Sequence, residues 1–465
     1  MLQRVFLLLC FACGSTIARG DTIVDWNEVL SQTIRETATS HGVNAGPGPV
    51  ARASAMMFAS MYDAVNSVDG THQPYLVNLN APAGTSREAA AATAAHRVLS
   101  SIYTGATQQA RFNTQLANDL ASIPDSPQKA AGIALGTAVA DSMIAARAGD
   151  GSGVLVPYTL NPAAGHWRPA FGQTPVTPGW GNVTPFTMTT GSQFRPQRPG
   201  GFNDMESLLA SPEYAAQVNE VKQLGALFSS TRTPEQTLVA EFWANDNPGT
   251  YKPTGHLNEL NRVVATQQAN TLSENARMFA LTNLALADAS IVAWDSKYLT
   301  DIDLWRPRDA VREVVNDGNP MTIADPTWQP LALSVIGTPA PGFPAYVSGH
   351  ATFGAAQAAV LANFFGTDNV GFELTSDDTG PLVVRSFDSF SQAALENGRS
   401  RVYLGVHYQW DSDEAYLAGT DLGNYIANNY LQPLQIVPEP SSVVLGILGA
   451  LALVGIGLRK SRRRA

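Results

Sequence analysis

The segment SRVYLGVHYQWDSDEA, residues 400–415, sets Arg401, His407 and Asp411 at intervals of six and then four. On a helical segment an i,i+4 spacing puts the imidazole and the carboxylate on one face. The carboxylate can then take the proton of one ring nitrogen and aim the other nitrogen outward. A histidine held in this way is suited to attack an electrophile or to ligate a central atom. A surface His–Asp pair at a helix start would read the same from this stretch alone.

Two further segments supply partners. WDSKYLTDIDLWRPRDA carries Lys297 and Arg306 at the far end of an apolar helix and in the loop after it. FPAYVSGHATFGAAQAA places Ser348, Gly349 and His350 before an Ala-rich helical stretch. A helix start leaves backbone N–H groups free, and small residues there let an anion approach them. The pieces together are three cations, a hydroxyl, a free amide and two histidines, and they fit a tetrahedral oxyanion. Lys297, Arg306 and Arg401 would neutralise its oxygens, with Ser348 and the Gly349 amide as neutral donors. One histidine would stand in line with the central atom and the other opposite. Around a phosphate ester the first is a nucleophile and the second protonates the leaving oxygen. Around vanadate the first is a metal ligand.

The elements that must hold these residues read as mostly helical. Stretches such as SREAAAATAAHRVLSSIY and MFALTNLALADASIVAWDSKY carry strong helix formers at helical spacing, and alternating β-branched runs are scarce. The 29 prolines and 39 glycines gather in connections, notably 151–201, which predicts long ordered loops between helices. At 465 residues, 45% hydrophobic and 15% charged, the chain can bury one large core or two moderate ones. The division expected is an N-terminal helical region over 21–230 and a catalytic bundle over 231–430. The formal net charge is −10, and with basic residues concentrated at the two ends the body between them is more acidic still. Such a body repels nucleic acid, so any group of cations inside it needs a local reason.

Both ends read as processing signals. Arg4 followed by VFLLLCFAC and then small and polar residues reads as a secretory signal peptide over 1–20, cleaved before Asp21. The two cysteines, Cys10 and Cys13, fall inside it, so the exported protein is expected to have no disulfide. The segment 431–465 contains Pro-Glu-Pro, an apolar run from Val443 to Leu458 and a basic cluster. That order resembles the PEP-CTERM sorting tail, which implies export, transient anchoring in the inner membrane by a transmembrane segment, and release by an exosortase-type enzyme to the surface or beyond.

The order Lys…Arg-Pro, Ser-Gly-His, then Ser-Arg-x3-Gly-x-His-x3-Asp resembles the superfamily that joins type 2 phosphatidic acid phosphatases with vanadium-dependent haloperoxidases. ARASAMMFASMYDAVNSV, HWRPAF, PGWGNVTPF and EFWANDNPGTYKPTGHLNEL extend the likeness to its soluble, chloroperoxidase-like branch. The resemblance implies an all-α fold of the haloperoxidase and acid phosphatase type, built on a helical bundle with the anion at its end. It makes His407 the axial vanadate ligand or phosphohistidine nucleophile, Asp411 its orienting acid and His350 the distal acid–base residue. Lys297, Arg306, Ser348, Gly349 and Arg401 become the cradle. Asp246 matches an acid that supports the distal histidine, and Trp294 and Phe343 fall where relatives line a halide pocket.

Two departures stand out. Eight residues, YLTDIDLW, separate Lys297 from Arg306 where the pattern has six, so Lys297 could be displaced and Arg308 take its role. Val347 stands where a proline usually precedes Ser-Gly-His, which predicts a looser loop. The resemblance leaves three functions. One is a vanadate-dependent haloperoxidase acting on hydrogen peroxide, a halide and a small organic acceptor. The second is a secreted acid phosphatase cleaving phosphate esters, with phosphate competing for the vanadate site. The third is an inactive surface or matrix protein.

Overall fold

The computed structural model describes residues 21–37, 46–170, 172–313 and 317–434. The expected signal peptide, and the Pro-Glu-Pro, apolar and basic parts of the sorting tail, lie outside the described residues. The N-terminal part comprises α1 (Thr22–Thr37), α2 (Pro47–Asp69), α3 (Arg87–Ile102), α4 (Ala106–Ala121) and α5 (Pro127–Arg147). After the long connection come short α6 (Met205–Leu209), α7 (Pro212–Leu224), α8 (Pro234–Phe242), α9 (Lys252–Gln267) and the 27-residue α10 (Leu272–Tyr298). Two short helices, α11 (Pro307–Glu313) and α12 (Ala332–Val335), precede α13 (Gly349–Phe365). A hairpin of β1 (Phe372–Ser376) and β2 (Gly380–Phe387) leads to α14 (Phe390–Tyr403) and α15 (Gln409–Asn429). The expected all-α architecture is present, with this one antiparallel hairpin added.

Helix α10 is the axle. A capping box of Thr271 and Glu274 starts it, satisfying donors that a helix N-terminus leaves free. It packs on α2 along one side and on α13 and α15 along the other. Its residues from Asn275 to Lys297 are buried almost without interruption, inside one apolar core that runs from Ile23 to Leu431. Among the described residues α5 and α10 are long and apolar enough to cross a membrane. For α10, 94% of the apolar window is inside the protein, so its hydrophobicity is that of a core helix.

Helices α13 and α15 run side by side from the same end. Gly419 and Gly423, four apart, face α13 so closely that a Cβ on Gly419 would come within 2.5 Å of the Thr352 carbonyl oxygen; one on Gly423 would meet that of Ala356. Ser348 N donates to Asp411 O at 2.9 Å, which ties the two N-termini together. Past α15, Gln73 N donates to Gln432 O and Leu434 N to Thr71 O, so residues 431–434, at the head of the segment read as a tail, pair with the loop after α2.

Candidate active site

Three elements end at one place. Helix α14 delivers Arg401 in its last turn, and a tight turn then brings His407 back beside it. Gly405 makes that turn at φ +79°, and the Val406 and His407 amides return to Arg401 O. Ser348 caps α13, accepting from Ala351 N, and this sets Gly349 and His350 in the first turn, where amides lack an intrahelical acceptor. Helix α10 carries Lys297 in its last turn. Arg306 follows from the next loop, which Asp303 secures by accepting from Tyr158 and from the His166 ring.

The His–Asp pair is as the spacing predicts. His407 Nδ1 lies 2.8 Å from Asp411 Oδ2, which also accepts from Tyr408 N at 3.1 Å. Both residues are buried. Burial, reinforced by Arg306 and Lys297, pushes the His407 imidazole well below its ordinary range, so it is neutral, with Nδ1–H donated to the carboxylate. Its Nε2 then carries the lone pair, facing Arg306 Nη1 at 3.0 Å. Burial pushes Asp411 up to about 7. His350 is also held neutral, by burial and by Arg401. It bonds to the Ala244 backbone and leaves Nε2 buried without a partner.

The arginines are half-satisfied. Arg306 donates Nε to Phe343 O at 2.8 Å and Nη1 to Val406 O at 2.7 Å, and lies over the Phe343 ring at 4.8 Å. Arg401 donates Nη1 to Trp243 O at 3.2 Å and Nη2 to Asp246 Oδ2 at 3.0 Å. Arg306 Nη2, Arg401 Nε and Asp411 Oδ1 are buried with no protein partner. Burial pulls Arg306 down to about 9 and lowers Arg401 as well. Orphaned cationic donors in a low-dielectric site are costly unless an anion meets them, which is the condition a tetrahedral oxyanion would relieve. The donor set therefore fits the group that the sequence pattern implies.

A narrow, water-sized cavity of about 10 Å³ lies here, lined by Asp246, Trp294, Phe343, Gly349, His350, Arg401 and His407. Pro47, Pro253, Pro341 and Phe353 complete the wall and carried no signal in the sequence beyond their apolar character. Trp294 and Phe343 stand against each other at 5.0 Å, with the indole N–H donated to Val176 O. A larger cavity, about 510 Å³, lies around Arg277 near the other end of α10. It is some ~30 Å away along the helix and shares none of these groups.

Three expectations change. Lys297 does not reach into the cavity: its ammonium donates to Pro344 O at 2.8 Å, Ala345 O at 3.0 Å and Val347 O, which uses all three protons. A fully buried ammonium needs three acceptors, and the loop before Ser348 provides them. That also corrects the loosened loop, since Val347 is fully buried and its carbonyl is clamped. Arg308, the alternative cation, pairs with Asp309. Asp246 lines the cavity, but the partner of its carboxylate is Arg401 rather than the His350 that the resemblance implied.

Residues 277–435 match the family described as the VCPO second helical-bundle domain. The vanadium chloroperoxidase of Curvularia inaequalis is 28% identical over 494 aligned positions, covering 84% of this chain and 79% of that protein. The crystal structure of the first bacterial vanadium-dependent iodoperoxidase superposes with a TM-score of 0.71 at 23% identity, over 89% of this chain and 96% of its own. A holo-type bacterial vanadium-dependent chloroperoxidase gives 0.66 at 17% identity, over 88% and 97%.

Proposed function

We propose that this chain, a member of the vanadium haloperoxidase superfamily, oxidises a halide with hydrogen peroxide on vanadate held in the cavity beside His407. The observation that carries the reading is the convergence of unpartnered buried arginine donors on a neutral histidine backed by a carboxylate. His407 Nε2 would ligate the vanadium, and Asp411 keeps that nitrogen unprotonated by holding the proton on Nδ1. Arg306, Arg401, the Ser348 hydroxyl and the Gly349 amide would hold the oxygens, with Arg306 exchanging its bond to His407 for bonds to the anion. Lys297 adds its charge from behind the loop it clamps. Vanadate, when bound, takes up hydrogen peroxide and passes one oxygen to the halide without changing oxidation state. His350 Nε2 has a lone pair open to accept a proton as peroxide enters. Trp294 and Phe343 give the halide side an apolar wall that limits water.

The test is one preparation assayed twice after loading with vanadate: for bromide-dependent halogenation of a dye with hydrogen peroxide, and, as apo-protein, for hydrolysis of an aryl phosphate. Halogenation that His407→Ala abolishes is expected, with phosphate competing for the site. Strong hydrolysis inhibited by vanadate, without halogenation at any peroxide concentration, would establish the phosphatase instead. Neither activity, with no binding of either anion, would leave the surface protein. Export by the leader and sorting by the tail belong to the same proposal; recovery of cell-surface protein whose N-terminus is still Met1 would refute them.

A further inference from the structure

We infer that Asp378, in the turn of the β1–β2 hairpin, is a positioning residue for the anion cradle: it fixes the two residues flanking Asp246 and so holds Asp246 on Arg401. The inference rests on the anion site proposed above.

The loop from Asn245 to Lys252 is bracketed by two non-glycine residues in the left-handed region, Asn245 at φ +49° and Lys252 at φ +62°. Such conformations persist only where surrounding bonds over-determine them, and they collect at functional sites. Here the bonds are visible. Asp378 Oδ2 accepts from Asn245 N at 2.7 Å and Oδ1 accepts from Asn247 Nδ2 at 2.6 Å, one bond on each side of Asp246. Lys252 Nζ donates to Asp246 O and Asn247 O at 2.8 Å each. Asn245 Nδ2 meets His256 Nδ1 at 2.8 Å, and the other nitrogen of that buried ring lies 2.9 Å from Thr375 O on β1. The loop is thus gripped from the hairpin and from α9 together.

What the grip presents is Asp246, whose carboxylate is the side-chain acceptor for Arg401 at the cavity wall. Without it the guanidinium keeps only the Trp243 and Ala244 carbonyls, which immediately precede that loop. Asp378 is not part of the cavity wall and makes no hydrogen bond to Arg401; apart from its charge, which Arg401 feels, it acts through Asp246. Its neighbour Asp377 grips elsewhere: it accepts from Arg35 and, at the far end of the loop, from Tyr251 N, five residues past Asp246, fastening the hairpin to α1 and to the start of α9. That makes Asp377 a control of the same residue type in the same turn.

The experiment is titration calorimetry of orthovanadate and of inorganic phosphate on the full chain, for wild type, Asp246→Ala, Asp378→Ala and the double variant, with Asp377→Ala alongside and melting temperatures for all. Asp378→Ala is expected to weaken both anions ~10-fold, the usual scale for a group one bond removed from a site. The double variant should be no weaker than Asp246→Ala alone. Asp377→Ala should lower the melting temperature while keeping anion affinity within about twofold. If Asp378→Ala does not fold, Asn247→Ala, which removes one of the two bonds, takes its place under the same criterion. Additive losses, or anion binding in Asp378→Ala equal to that in Asp377→Ala, would overturn the inference alone. A wild-type chain that binds neither anion would overturn the site reading and this inference with it.

Discussion

Replacing Arg306 with methionine separates what the cradle costs the folded chain from what it contributes to an anion. In the apo-protein the guanidinium is fully buried and held down to about 9. That is roughly three pH units below an ordinary arginine, and at about 1.4 kcal/mol per unit it means about 4–5 kcal/mol carried by the fold. Methionine removes that burden and keeps apolar contact with Phe343. Against it, the Phe343 and Val406 carbonyls lose their donor, at about 1–3 kcal/mol each. The two effects nearly cancel, so scanning calorimetry of the apo-variant should give a melting temperature within about 5 °C of wild type. Anion binding has no such compensation. Two charge-assisted bonds of about 1.5–3 kcal/mol disappear, so the dissociation constants of vanadate and phosphate should rise about 10²–10⁴-fold by titration calorimetry. Affinity kept within threefold, or a melting transition that collapses in step with the affinity, would refute the argument that Arg306 is a strained donor awaiting an anion.

Two further outcomes follow from the same geometry. Asp411, pushed up to about 7 by burial, favours its neutral form in the folded apo-protein; its stabilising contribution is complete below about pH 4 and is lost as pH rises toward 7. The apo-protein should therefore lose melting temperature over that window, and Asp411→Asn should flatten the slope; an unchanged slope would mean the carboxyl is not perturbed. Lys297→Ala should weaken vanadate binding at least ~10-fold because the loop before Ser348 loses its three-point clamp, whereas Arg308→Ala should stay within about threefold. Equal effects from the two variants would mean that the longer insert had exchanged their roles.

The sequence was most informative where chemistry depends on spacing within one element. His407 and Asp411 are four apart on one segment, and Ser348 stands one residue before a helix it caps; both relations are local and both are as expected. It was least informative where a group is satisfied by a distant backbone. Nothing near Lys297 says that its ammonium will be spent on carbonyls at 344–347, because that depends on how α10 meets a loop some fifty residues on. The resemblance gives Asp246 to the distal histidine, but the partner of its carboxylate is set by the close of α14, far along the chain. The hairpin was not foreseen, since FELTS and GPLVVRSF are short strands in an alanine-rich helical background and their turn matters through long-range bonds. In the insert, Asp303 gives the extra length a use by fastening the 158–167 loop beside Arg306.

The glycine seam between α13 and α15 has a consequence for how such a catalyst can change over generations. Ser348 and His350 sit at the start of one helix, Asp411 at the start of the other, and the separation of the two starts is set by how deeply Gly419 and Gly423 let the backbones approach. The seam works as a ruler whose zero mark is ~18 Å from the carboxylate it calibrates, twelve residues along α15. A methyl group added at either mark would wedge the helices apart and splay the acid from the loop that carries the distal histidine. Such a change would be felt as lost chemistry while every reactive side chain remained in the sequence. On the proposed function, changes that tune the halide side without touching this gauge would fall at the aromatic wall of Trp294 and Phe343.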